Sequence, residues 1–167
     1  MATRQFAAWV GPFAERYRES GAEAVRLARS LSDDELKKPT GNTSWFVRDE
    51  LVHMAASGGD FLTTLGSVLR GDNVDTSVFA DIDARNARNL EARRDRSMDE
   101  VASELENNDT ALQNLLTQLT LEDEARKPAG MPFPLNQLLN GYAQHDPYHL
   151  GQIRDALGRR AEEAAAS

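Results

Sequence analysis

Three histidines are the residues here whose type and spacing suggest chemistry: His53, His145 and His149. The last two stand four apart. On a helix that spacing stacks them on one face, about 6 Å between Cβ atoms. They fall in step with an apolar stripe, Leu138, Tyr142, His145, His149, Ile153 and Ala156, at intervals of three or four. Both rings are therefore expected to point inward. Buried imidazoles need a proton partner or a metal, because an unpaired polar group is costly inside a protein. His53 lies at the border of another apolar face. A single histidine there also reads as an ordinary boundary side chain. If it joins the pair, three imidazoles surround one ion and leave a fourth position open, the arrangement of catalytic zinc sites.

Residues around the histidines extend the candidate site. Asp146 is placed to hold the outer nitrogen of a ligand ring or to remain a solvated acid. Tyr148 and Gln152 flank His149 and are candidates to touch a bound cofactor, Gln152 sharing its helix face. Glu50 lies on the side of His53, as does Asp49, and is a candidate base or supporting carboxylate. Pro147 removes an N–H and displaces the carbonyl of Ala143 from its ladder bond, which predicts a kink between the two rings. Several familiar patterns fail. The zinc-protease helix needs Glu after the first His, where this chain has Asp146 and then Pro147. A di-iron bundle needs two Glu-x-x-His pairs, and only Glu50 to His53 has that spacing.

The elements that must position these residues read as helices. A first stripe runs Phe6, Trp9, Val10, Phe13, Tyr17, and Pro12 suits the first turn of a long helix. Ser32 to Glu35 has capping-box spacing before a short helical turn. Ser44 is expected to cap a second long helix over residues 45–69. Its seam is Val47, Leu51, Met54, Gly58, Phe61, Leu65 and Val68, with Gly58 predicting a close helix approach. Residues 71–77 form the longest irregular stretch. Val78, Phe79 and Ile82 are expected to anchor a short helix that becomes polar, with arginines from Arg85 to Arg96. Those arginines read as a solvated face or as a receiver for an anionic thiol. Ser97 and Glu100 form a second capping box, opening a third helix interrupted by Asn108. A fourth is expected over residues 135–157, stopped by Gly158, with residues 161–167 a frayed tail. Four long amphipathic helices with no strand pattern predict an all-α, single-domain four-helix bundle with short accessory helices.

Composition narrows the partners. The chain has 167 residues, 27 acidic against 19 basic, and a formal net charge of -8. That argues against duplex nucleic acid or an anionic membrane as partner, and leaves a small molecule. With no cysteine, disulfides, thiolate-ligated zinc and a cysteine nucleophile are excluded. No apolar run has signal-peptide or membrane-spanning length, so a cytoplasmic protein is the expectation.

With Trp45, Val47, Arg48, Asp49 and His53 opening the second helix, and His145-x-x-x-His149-x-Gly151-Gln152-Ile153 in the fourth, the chain resembles the DinB/YfiT-like metalloenzymes over nearly its whole length. Phe46 departs from the pattern, standing where a small hydroxyl residue often follows the Trp. The resemblance implies a four-helix bundle of up-down-down-up course, often a homodimer. It implies that His53, His145 and His149 bind a divalent metal, commonly zinc or nickel. The activities it implies are thiol-dependent transfer or isomerisation with a bacterial low-molecular-weight thiol, or metal-dependent hydrolysis. A non-catalytic metal or small-molecule binding protein of a stress response is the further alternative. Between the chemistries, thiol transfer is the expectation.

Overall fold

The structure is a computed structural model that describes residues 5–42, 44–76 and 80–158. The expectations placed on Ser77, Val78, Phe79 and the tail 161–167 lie outside those residues. The described chain is helical, with no strand; the nearest thing is an isolated bridge between Pro39 and Phe46. None of its helices is long and apolar enough to cross a membrane.

Helix α1 covers Gly11–Ser30 and carries Pro12 in its first turn, where a missing N–H is harmless. Its buried face, Ala14, Tyr17, Ala24, Leu27 and Ala28, follows the helical repeat. Helix α2, Asp33–Leu36, begins with the Ser32 and Glu35 capping box. Helix α3 runs Val47–Arg70 and ends at Gly71, whose φ of 75° is the left-handed turn that glycine adopts without penalty. Its start differs from expectation. The cap is not Ser44 but Phe46, whose backbone N–H donates to Asp49 Oδ2 at 3.0 Å. Ser44 itself sits at φ 71°, in the loop that turns the chain into α3.

Helix α4, Ile82–Glu91, buries none of its residues, and Ile82 is 49% exposed rather than an anchor. It lies on α3, where Asn89 Nδ2 donates to Asp60 Oδ2 at 3.2 Å. Helix α5, Met98–Leu116, opens with Ser97: Glu100 N–H donates to Ser97 Oγ at 3.2 Å, and Ser97 N–H to Glu100 Oε2 at 2.7 Å. Removing this cap by Ser97→Ala is expected to lower stability by about 1 kcal/mol in a urea titration, with the helical content of the native baseline unchanged.

The last helix is two. After a 3₁₀ turn at Leu121–Asp123, α6 spans Leu135–Ala143 and α7 spans His145–Ala156, separated at Gln144. Pro147 explains the break. It cannot donate to the Ala143 carbonyl, and its ring crowds that group. The continuous helix expected over 135–157 is therefore interrupted one residue before the first of the paired histidines.

Helix α5 packs against both α1 and α3, and α7 against α3 and α1. Their apolar residues form two clusters. One joins the start of α1 with Phe61, Leu65 and Val68 of α3, Leu112 and Leu116 of α5, and α6. The other joins Leu27, Leu51, Val101, Leu105, Leu150 and Ile153. Between them every long helix changes character within one turn. Ser20 on α1, Ser57 and Gly58 on α3, Asn108 and Asp109 on α5, and His145 to His149 lie in this interval. Gly58 permits the approach of Asn108, whose Nδ2 donates to Ala55 O at 2.7 Å; a Cβ at Gly58 would stand 2.8 Å from that nitrogen. The polar layer is where the histidines gather.

Candidate metal centre

His53 comes from the second turn of α3, His145 and His149 from the first turns of α7. One ring nitrogen from each lies within 4.8 Å of the others, and His53 Nε2 is 2.9 Å from His145 Nε2. Ligand nitrogens on one tetrahedral ion with bonds of about 2.0–2.1 Å stand about 3.3 Å apart. His53 and His149 are 4% and 6% exposed. His53 therefore belongs with the pair and is not a boundary side chain. Burial, with its neighbours, sets its charge state. Burial first, then the neighbouring His149 and His145 and the Arg85 cation, push the His53 pKa down to about 2. The ring is held neutral, the form that can donate a lone pair to a cation.

Each α7 histidine is held from behind by a carboxylate. His149 Nδ1 donates to Glu50 Oε2 at 2.6 Å, and His145 Nδ1 to Asp146 Oδ1 at 2.9 Å. A ring whose Nδ1–H is so engaged presents the lone pair of Nε2 to the centre. Glu50 is 0% exposed, and its other oxygen accepts from the Thr40 hydroxyl at 2.8 Å. Thr40 is tied in turn to the loop before α3, its N–H donating to Trp45 O at 2.9 Å. The loop that misses the expected Ser44 cap thus has another job: it carries Thr40 to Glu50 and Trp45 to the imidazoles. The Trp45 ring centroid is 5.0 Å from that of His53 and 6.3 Å from that of His149.

The donor set fits a divalent cation of borderline softness: three imidazoles, two with their tautomer fixed by a carboxylate, and two of them buried. A sequence model of the DinB family matches residues 7–159 of the chain. The chain belongs to the DinB family. No curated protein and no solved structure matches it. The three histidines of this DinB chain could hold a metal ion together.

Other residues expected at the site divide. Tyr148 meets the His149 ring edge to face at 5.2 Å and is 59% exposed, on the open side. Gln152 turns to the loop, its Oε1 close enough to Gly41 that a Cβ there would stand 2.7 Å away. Asp49 is spent on the α3 cap. Four of the five arginines of the polar stretch meet acids of the protein itself: Arg93 and Arg96 share Glu104, Arg94 pairs with Glu91, and Arg85 approaches Asp60. Three contributors to the DinB centre escaped the sequence reading of the site: Trp45, Thr40 and Tyr142. Trp45 carried a signal as one of the residues of the family resemblance, and Tyr142 one in the apolar stripe it shares with His145. Thr40 carried none, since a loop threonine ten residues before a glutamate has no periodicity to reveal it.

Proposed function

We propose that this DinB-family protein is a metal-dependent transferase acting with a low-molecular-weight thiol on a small electrophile. His53, His145 and His149 would hold one divalent cation, zinc or nickel. Such an ion acidifies a thiol or a water molecule at neutral pH. The observation that carries the reading is the paired support of His149 by Glu50 and His145 by Asp146. Two carboxylates fixing two imidazoles prepare a donor set that would otherwise be an expensive burial of polar groups.

Transfer is the reading the family resemblance favours, since the ion would acidify a thiol or a water alike. Hydrolysis asks for a general base or acid within reach of the reacting atoms. Glu50 has both oxygens engaged, and Asp146 has one on His145. They act as positioning groups for the rings rather than as bases. Tyr148, exposed beside His149, offers an aromatic face against which the carried thiol or its acceptor would pack. The order in which the four long segments meet the two apolar clusters supports an up-down-down-up four-helix bundle. The homodimer implied by the family resemblance and a cytoplasmic location complete the proposal.

Elemental analysis of protein purified without a histidine tag tests the metal. About one equivalent of zinc or nickel per chain is expected in the wild type, and a loss of most of it in His145→Ala. A turnover screen with thiols and electrophiles, comparing wild type with His53→Ala, then tests the chemistry. Metal without turnover that His53→Ala abolishes leaves a binding protein. No metal in either protein removes the proposal.

A further inference from the structure

His145 stands in a weaker backbone setting than the other two histidines. It is the first residue of α7, directly after the interruption at Gln144, and Pro147 withdraws a ladder bond from the turn that carries it. Its side chain is 25% exposed against 8% for His149. The second torsion of a histidine is broad, so the ring plane needs support from outside.

Two neighbours supply that support. Asp146 Oδ1 accepts a hydrogen bond from Nδ1–H and so decides the tautomer. Tyr142, three residues earlier on α6, lies flat against the ring, with centroids 5.5 Å apart and planes 7° from parallel. On Phe61 of α3 the Tyr142 ring is stacked again, at 3.9 Å and 6°. Tyr17 leans on both rings, its hydroxyl donating to Leu139 O at 2.6 Å. Three parallel rings, Phe61, Tyr142 and His145, thus run from the first apolar cluster to the centre. Offset stacks of this kind hold orientation as well as area. The helix break makes the brace necessary: α6 ends at Ala143, so the backbone alone does not lock His145 to the helix before it.

We infer that Tyr142 is a positioning residue of the metal centre: its ring, braced by Phe61, fixes the plane of the His145 imidazole and aims Nε2 at the point shared with His53 and His149. The inference rests on the reading of the three histidines as metal ligands. Tyr142 acts through His145, the ring it stacks on. The contact is made by the ring face, so phenylalanine can supply it and leucine cannot.

Cobalt(II) added to the metal-free protein tests this, because its visible absorption reports ligand geometry as well as binding. Tyr142→Phe is expected to bind cobalt with the wild-type affinity and spectrum. Tyr142→Leu is expected to bind about 10–100-fold more weakly, with shifted and less intense bands. Leu116→Ala, in the same apolar cluster but on α5, is the control for plain loss of packing. It should lower the unfolding midpoint and leave the cobalt spectrum alone. Phe61→Leu removes the brace while keeping Tyr142; it should shift the spectrum in the same direction, and serves if Tyr142→Leu does not fold. The inference is overturned if Tyr142→Leu, or in its place Phe61→Leu, binds and absorbs as wild type. It is equally overturned if Tyr142→Phe is as impaired as Tyr142→Leu, or if Leu116→Ala changes the spectrum alike. Wild-type protein that takes up no cobalt overturns the ligand reading itself, an outcome visible before any substitution is compared.

Discussion

Glu50→Ala lowers the affinity for zinc by about 10–100-fold, read by competition with a chromogenic chelator. The carboxylate is not a ligand, so the loss comes through His149. With Glu50 in place, His149 Nδ1 donates to Oε2 at 2.6 Å and the ring is committed to one tautomer and one orientation. With alanine there, both are free, and each must be fixed again on binding. The metal-free protein also loses stability. Thr40 and His149 are left facing a buried void, at a cost of about 1–3 kcal/mol for a group left unpaired. Glu50→Gln separates the two effects. Its amide oxygen can still face His149 while its NH₂ meets the Thr40 hydroxyl, which can accept and turn its own proton to Trp45 O, 3.3 Å away. Glutamine is therefore expected to fall between wild type and alanine in both measurements. If Glu50→Ala binds zinc as tightly as wild type, the carboxylate does not order the site, and the observation on which the functional reading leans is lost.

The asymmetry between the two carboxylates bears on how the site is built. Asp146 is the direct neighbour of the histidine it supports, so that pair is local to one turn of α7. Glu50 reaches across from α3 to α7. The second bond is a tertiary contact between the two helices that supply all three histidines. Ordering the donor set and docking α3 on α7 are in this sense one event, and metal binding to a preformed site stabilises the docked state.

What the sequence could show was whatever repeats with a helical period. The i, i+4 histidines, the seam of α3 with Gly58 in it, and the two capping boxes at Ser32 and Ser97 are all of that kind. Each appears as expected because the signal is contained within about two turns. The His53 partnership needed more, since its place at the edge of a face is shared by many surface histidines. It was legible as the one remaining imidazole that could complete the pair, and the family resemblance pointed the same way. The start of α3 was misread because a serine before an apolar run satisfies the local rule for a cap, while the real cap depends on the Phe46 to Asp49 bond and the bridge to Pro39. The break at Gln144 was foreshadowed by Pro147 as a kink, but whether a helix bends or divides there depends on its packing. Thr40 and Trp45 serve the centre through contacts across the fold that no periodic pattern carries, whereas Tyr142 shares the stripe of His145 and only its stack on Phe61 lies beyond that pattern.

Acid should unfold the metal-free protein sooner than its carboxylates alone require. His53 has a pKa of about 2 in the fold against the ordinary 6.5. The unfolded chain accepts a proton there that the folded chain refuses. Above pH 6.5 both forms are neutral and the full stability is present. Below it the unfolded state is favoured by about 1.4 kcal/mol for each pH unit, continuing toward pH 2. Between pH 7.5 and 5.0 this one ring removes about 2 kcal/mol, in a window where ordinary carboxylates stay ionised. Urea midpoints at the two pH values measure it, and His53→Gln should flatten the difference by about that amount. Bound metal deepens the dependence, because an ion held by a neutral imidazole must be released before the ring can take up a proton. If the midpoint of the metal-free wild type does not move between those pH values, the folded protein accommodates a charged His53, and the crowding of three rings costs less than their separations imply.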